Sequence, residues 1–235
     1  MKSLVFDSSS VISIMTNNLM DVLLELKKSF NGEFFIPDAV KLELVDNPLR
    51  TRRFELQAVM LADYIGKGYF KFFENIAVKS QGEVLTETAN NIFMIDGKAL
   101  RIVDSAEICG LVLANMVKAS AYVVDERTLR LLVEDYRKLK ELFERKFNAR
   151  VEVDRRSLKK FQEVVGGVKI IRSAELMTLG FELGLFNKYK EGGELVSGYK
   201  QRMLEGILWG LRLRGCSIST NEINEILKIE KVNGR

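Results

Sequence analysis

Short uninterrupted apolar runs alternate along the chain with longer stretches in which apolar positions recur every three or four residues. The short runs lie at 3–6, 33–36, 69–73, 121–124 and 168–171 and are rich in Val, Ile, Phe and Tyr. Most lack the alternation of a half-exposed strand, the mark of parallel strands covered on both faces. The periodic stretches predict helices at 9–29 (interrupted near Asn17 and Asn18), 38–45, 50–66, 82–93, 104–118 and 126–147. Another is predicted at 154–165, before the fifth strand; 173–185, 196–214 and 220–228 follow it, with Gly192-Gly193 marking a loop. Strand–helix–strand alternation predicts an α/β fold with a mainly parallel sheet. Two prolines and no flexible linker argue for one domain with a helical C-terminal extension packed on it.

Composition narrows the chemistry more than the fold. There is no histidine, so Ser-His-Asp and Cys-His catalysis are excluded, as is any zinc site built on imidazole. Thirty-six basic against 32 acidic residues give a net charge of +4, which permits a nucleic-acid partner without requiring one. Cys109 and Cys216 stand among apolar neighbours and read as buried thiols of a reducing compartment. No window approaches the ~18 consecutive apolar residues of a membrane span. Asp7 also interrupts any apolar leader, so the expected location is cytoplasmic.

The remaining chemistry lies in acids at strand ends, where open α/β sheets bind their ligands. The first strand stops at Asp7 in LVFDSSSVI, and the fourth at Asp125 in AYVVDER. Glu43 follows the second strand in FFIPDAVKLEL, and Asp104 and Glu107 open the helix before the fourth in IVDSAEICGLVLA. Each has an ordinary alternative. Asp7 and Asp125 can cap helices, Asp104 and Glu107 have capping-box spacing, and Glu43 can be a solvated helix carboxylate. The cap does not need Asp7, however, because three serines follow it. Carboxylates gathered together repel by about 4 kcal/mol per pair at 4 Å and an effective dielectric near 20. Without imidazole the natural counter-charge is a hard oxygen-liganded cation, Mg²⁺ or Mn²⁺, and its chemistry suits phosphodiester hydrolysis.

On these residues the chain resembles the PIN-domain nucleases. LVFDSSSVI resembles the family's first motif and IPDAVKLEL its second. DSAEICGLVLA with NMVKASAYVVDERTLR resembles the third and fourth, in a toxin-like bacterial and archaeal subgroup with Glu at the third acid. VKIIRSAELMTLGFELGLF and LRLRGCSISTNEINEIL are similar to its fifth strand and C-terminal helices. Val123 departs from the Ser or Thr that many members carry two residues before the fourth acid.

The resemblance implies a three-layer α/β/α fold around a five-stranded parallel sheet, over 1–185, with 186–235 a helical extension of the same domain. It implies cleavage of single-stranded RNA with Mg²⁺ or Mn²⁺ held by Asp7, Glu43, Glu107 and Asp125, Asp104 being the rival third acid and Ser9 a support. Arg52, Arg53 and Arg127 are the candidate RNA contacts; a protein antitoxin and a homodimer stay open as partners. The alternative is a catalytically silent RNA-binding or assembly protein. A nucleotide-binding reading fails because DSSSVIS offers no glycine for a phosphate loop.

Overall fold

In the computed structural model of the protein, residues 2–52, 54–189 and 196–233 are described, so the loop expected at Gly192-Gly193 lies outside them. The elements are β1 (Ser3–Phe6), α1 (Ser8–Thr16), α2 (Met20–Phe30), β2 (Glu33–Pro37), α3 (Asp38–Lys41), a π-helical turn (Leu42–Asp46), α4 (Asn47–Thr51) and α5 (Glu55–Gly66). Next come β3 (Lys71–Phe73), α6 (Ile76–Asn90), β4 (Phe93–Ile95), β5 (Lys98–Ala99), α7 (Ser105–Met116), β6 (Ala121–Val123), α8 (Arg127–Glu134) and α9 (Tyr136–Phe147). The chain continues through β7 (Glu152–Val153), α10 (Arg155–Val165), β8 (Ile170–Ile171), α11 (Ser173–Glu182), α12 (Tyr199–Leu213) and α13 (Thr220–Asn233).

Five strands form an all-parallel sheet in the order β3-β2-β1-β6-β8, with Val5 of β1 opposite Phe35 and Tyr122. Successive strands run outward from β1 to one side and then, from β6, to the other. That reversal opens a crevice at the carboxyl ends of β1 and β6, the usual ligand position in such sheets.

The pleat of β1 sorts its residues between two helical layers. Leu4 and Phe6 pack with α1, α2, α11, α12 and α13, while Val5, Tyr122 and Val124 pack with α6 through α10. The fold is therefore three-layered α/β/α, and the C-terminal helices share the first core through Leu204, Leu208, Leu211 and Ile223. Among the described residues no helix is long and apolar enough to cross a membrane.

The 9–29 segment is two helices, separated as expected near Asn17 and Asn18, where Asn18 takes a left-handed φ of 56°. Three further stretches divide differently from the sequence pattern. Helix 50–66 starts only at Glu55, after Arg52 and Phe54 at φ of 61° and 62°. The 126–147 stretch breaks at Asp135, whose carboxylate accepts N–H bonds from Arg137 and Lys138 and so caps a new helix. The 82–93 stretch becomes α6, capped earlier by Asn75, and Phe93 begins the central strand of a small antiparallel sheet, β5-β4-β7. Its strands of two or three residues are too short to leave a periodic signal.

Candidate functional site

Asp7 ends β1 and caps α1. Its Oδ2 accepts the Ser9 N–H at 3.0 Å and the Ser9 hydroxyl at 2.5 Å. Its own N–H continues the sheet by donating to Val123 O at 2.9 Å. Ser10 ties the same corner together, donating to the carbonyls of Asp7 and Val123. A cap could sit at the surface, yet Asp7 is only 2% exposed. Burial raises its pKa from 3.8 to about 6; the Ser9 bonds oppose that rise and the charge of Glu43 adds to it. Ser9 also accepts the Asp125 N–H at 3.2 Å, so one hydroxyl links the ends of β1 and β6.

Glu43 arrives from the next strand. Pro37 ends β2, α3 turns once, and the helix then widens into the π-helical turn that carries Glu43. Single π-helical turns are costly and concentrate at functional sites. Glu43 is exposed, and its Oε2 accepts the Ser8 hydroxyl at 2.6 Å, bridging the turn to the start of α1. The sequence suggested an unbroken helix at 38–45, and nothing in its spacing announced the widened turn.

Asp104 and Glu107 form the capping box in full. Asp104 Oδ1 accepts the Glu107 N–H at 2.9 Å, and Glu107 Oε2 accepts the Asp104 N–H at 3.1 Å. Asp104 is exposed, whereas Glu107 is partly buried. Burial, then the Asp104 charge, raise the Glu107 pKa from 4.5 to about 8; the Asp104 N–H opposes, and the charges of Asp7 and Glu126 add to the rise. Glu107 thus caps its helix and also senses Asp7. Glu126 was not singled out in the sequence, where its only signal was adjacency to Asp125. It caps α8 by accepting the Leu129 N–H at 2.7 Å.

A carboxyl whose folded pKa lies above its unfolded value stabilises below the latter, and that stability is lost as pH rises through the folded value. For Glu107 the window runs from 4.5 to about 8. In metal-free protein, Glu107→Gln should match the parent near pH 4.5. It should melt ~5 °C or more above the parent once the pH passes about 8. Thermal melts across that range in EDTA check this; equal melting temperatures throughout would refute the raised pKa that burial and the Asp104 charge impose.

Asp125 is placed differently from the other acids. It is fully buried, and its carboxylate accepts the Ser173 N–H at 2.8 Å and the Ser173 hydroxyl at 2.6 Å at the start of α11. Burial raises its pKa despite those bonds. Nearby, burial and the Asp125 charge push the Cys216 thiol up to about 12, which keeps it protonated and unreactive. Glu43 and Glu107 thus each lie near enough to Asp7 for charge to be felt, Asp104 stands on the rim beside Glu107, and Asp125 is engaged in holding α11 to β6. Asp125→Asn keeps an acceptor for the Ser173 N–H and should cost about 1 kcal/mol of stability. It should leave any cleavage within severalfold of the parent; a loss as large as that of Asp7→Asn would return Asp125 to the site.

Arg127 is exposed at the first position of α8, beside Glu126, and Arg52 is exposed just after α4; Arg53 lies outside the described residues. Among the described residues no group of three or more acidic or thiol side chains is gathered as a ready-made cation site. The donor set nevertheless suits a hard divalent ion. Its members are carboxylates, and a cation would offset the burial and the neighbouring charge that raise the Asp7 and Glu107 pKa values. Comparison with family models, with curated proteins and with solved structures gives no match.

Proposed function

We propose that the chain is a divalent-metal-dependent nuclease of the PIN kind, hydrolysing single-stranded RNA at the crevice between β1 and β6. The observation that carries this reading is the placement of Glu43 and Glu107 beside Asp7, through the hydrogen bonds of Ser8 and Tyr122, at the topological reversal of the sheet. Burial, then neighbouring charge, raises the pKa of Asp7 and of Glu107, so their ionised forms are a cost to the fold.

Asp7, Glu43 and Glu107 would hold Mg²⁺ or Mn²⁺, and such an ion supplies positive charge for phosphate oxygens and acidifies a bound water. The chain's own groups prepare that site. Ser9 fixes the Asp7 carboxylate, the capping box orients Glu107, and exposed Glu43 closes the rim through Ser8. Arg127 and Arg52, both exposed, would meet phosphates, contacts that position RNA without reading its sequence. A short single-stranded RNA should be cut with Mn²⁺ present and left intact in excess EDTA, as read on a denaturing gel. Cleavage undiminished by EDTA would refute the mechanism.

A second reading, a catalytically silent RNA-binding or assembly protein, is favoured by one observation: the carboxylate of Asp125 is occupied by Ser173. RNA binding without cleavage at any Mn²⁺ concentration would establish it in place of the first.

A further inference from the structure

A buried phenol stands between two of these acids. Tyr122 sits in the middle of β6 and is fully buried. Its Oη lies 3.1 Å from the main-chain O of Glu107 and 3.5 Å from Asp7 Oδ1. One phenol proton therefore serves both the first turn of α7 and the carboxylate that ends β1.

The surrounding chain is cut to fit that hydroxyl. A Cβ on Gly110, in the middle of α7, would stand 2.3 Å from Tyr122 Oη and 2.5 Å from Cζ, so only glycine lets the ring reach the gap between helix and sheet. Glycine in a helix interior costs about 1 kcal/mol relative to alanine. A phenylalanine would fill the core without a hydroxyl to satisfy. Both choices work against stability, and both serve the same oxygen.

We infer that Tyr122 is a positioning residue for the acidic site, its phenol O–H fixing the separation between Asp7 and the turn of α7 that carries Glu107. The inference rests on reading those acids as ligands of a divalent cation. Two carboxylates of like charge on different elements push those elements apart. A shared donor packed between helix and sheet resists that separation and so keeps both acids within reach of one ion. Tyr122 touches neither the Glu107 carboxylate nor substrate; it acts through the Glu107 backbone and through Asp7.

The test is Tyr122→Phe in the full chain, read by calorimetric Mn²⁺ titration, by melting in EDTA and by cleavage kinetics on a short single-stranded RNA. Loss of a group that orients metal ligands should weaken Mn²⁺ binding about tenfold and lower kcat by a similar factor, with KM for RNA unchanged. The melting temperature in EDTA should stay within ~4 °C of the parent, as for the loss of one hydrogen bond. Mn²⁺ affinity within twofold of the parent would overturn the inference even if the protein cleaves RNA. Weakened Mn²⁺ binding in a protein that never cleaves RNA would sustain the inference and overturn the nuclease reading. A parent that takes up no Mn²⁺ overturns both. Should Tyr122→Phe fail to fold, Gly110→Ala keeps the phenol but displaces it, and the same loss of Mn²⁺ affinity is expected from that variant, with parental affinity overturning the inference.

Discussion

Asp7→Asn is expected to abolish metal-dependent RNA cleavage while making the metal-free protein more stable at neutral pH. The two effects have one origin. Asp7 is 2% exposed, and burial holds its folded pKa at about 6 against 3.8 for an ordinary carboxyl. Its contribution to stability is present below 3.8 and is lost as pH rises through about 6. Two pH units correspond to about 3 kcal/mol at ~1.4 kcal/mol each, a cost met in full above the folded pKa. Asparagine carries no charge, caps a helix about as well as aspartate and can still accept the Ser9 N–H. The variant should therefore melt ~5 °C or more above the parent in EDTA at neutral pH, with the difference vanishing toward about pH 4. With Mn²⁺ added, the parent should gain stability and the variant should not. A variant that melts below the parent at neutral pH would show that Asp7 serves the fold; one that cleaves RNA normally would remove it from the site.

The sheet was legible because its strands are buried on both faces. Runs such as LVF and AYVV leave no other interpretation once long amphipathic stretches separate them. The position of Asp7 was legible for a related reason: a charged residue directly beyond such a run stands at the rim of the sheet. Asp125 stands just past the end of its own strand in the same way, and that logic alone did not give its partners. What it could not supply was the course of α11, whose first N–H and hydroxyl occupy that carboxylate. The tertiary partner of a strand-end acid is set by strand order, which a single chain does not spell out. Gly110 was a signal available in the sequence, an unpunctuated glycine inside an apolar helix. Its meaning required the neighbouring strand, because the residue that needs the space is Tyr122, twelve positions on. The Asp135 break was hidden because apolar spacing continues through it in both α8 and α9, while a capping aspartate is only a local competitor.

The largest loss of stability is expected from Arg172→Ala, at a position the sequence reading passed over. Arg172 precedes α11 and is 7% exposed. Its guanidinium pairs with Glu175 and, at 2.8 Å, with Glu222 of α13, and it donates to Ser217 O at 2.9 Å. It thus joins β8 and α11 to the segment between α12 and α13, next to the point where Ser217 N–H donates to Asp125 O. Arg172 is buried, but Glu175 and Glu222 stay more than a third exposed, so solvent screens them and the loss should be about 2 kcal/mol. At ~2–4 °C per kcal/mol for a chain of this size, the variant should melt ~5 °C below the parent. A pH signature separates this from a simple packing defect. Burial pushes the Glu222 carboxyl up, but the Ser219 bonds and Arg172 outweigh it and hold the pKa at about 2, below the ordinary 4.5. A depressed carboxyl gives stability above 4.5 that is lost as pH falls through about 2. The parent should lose part of its stability across that acid window, and Arg172→Ala should lose less there, so the two melting curves converge on acidification. An unchanged gap at low pH would show that the loss comes from packing alone. Because the site acids are held by β1, the π-helical turn and α7, Mn²⁺ binding to whatever fraction remains folded should keep the parent's affinity.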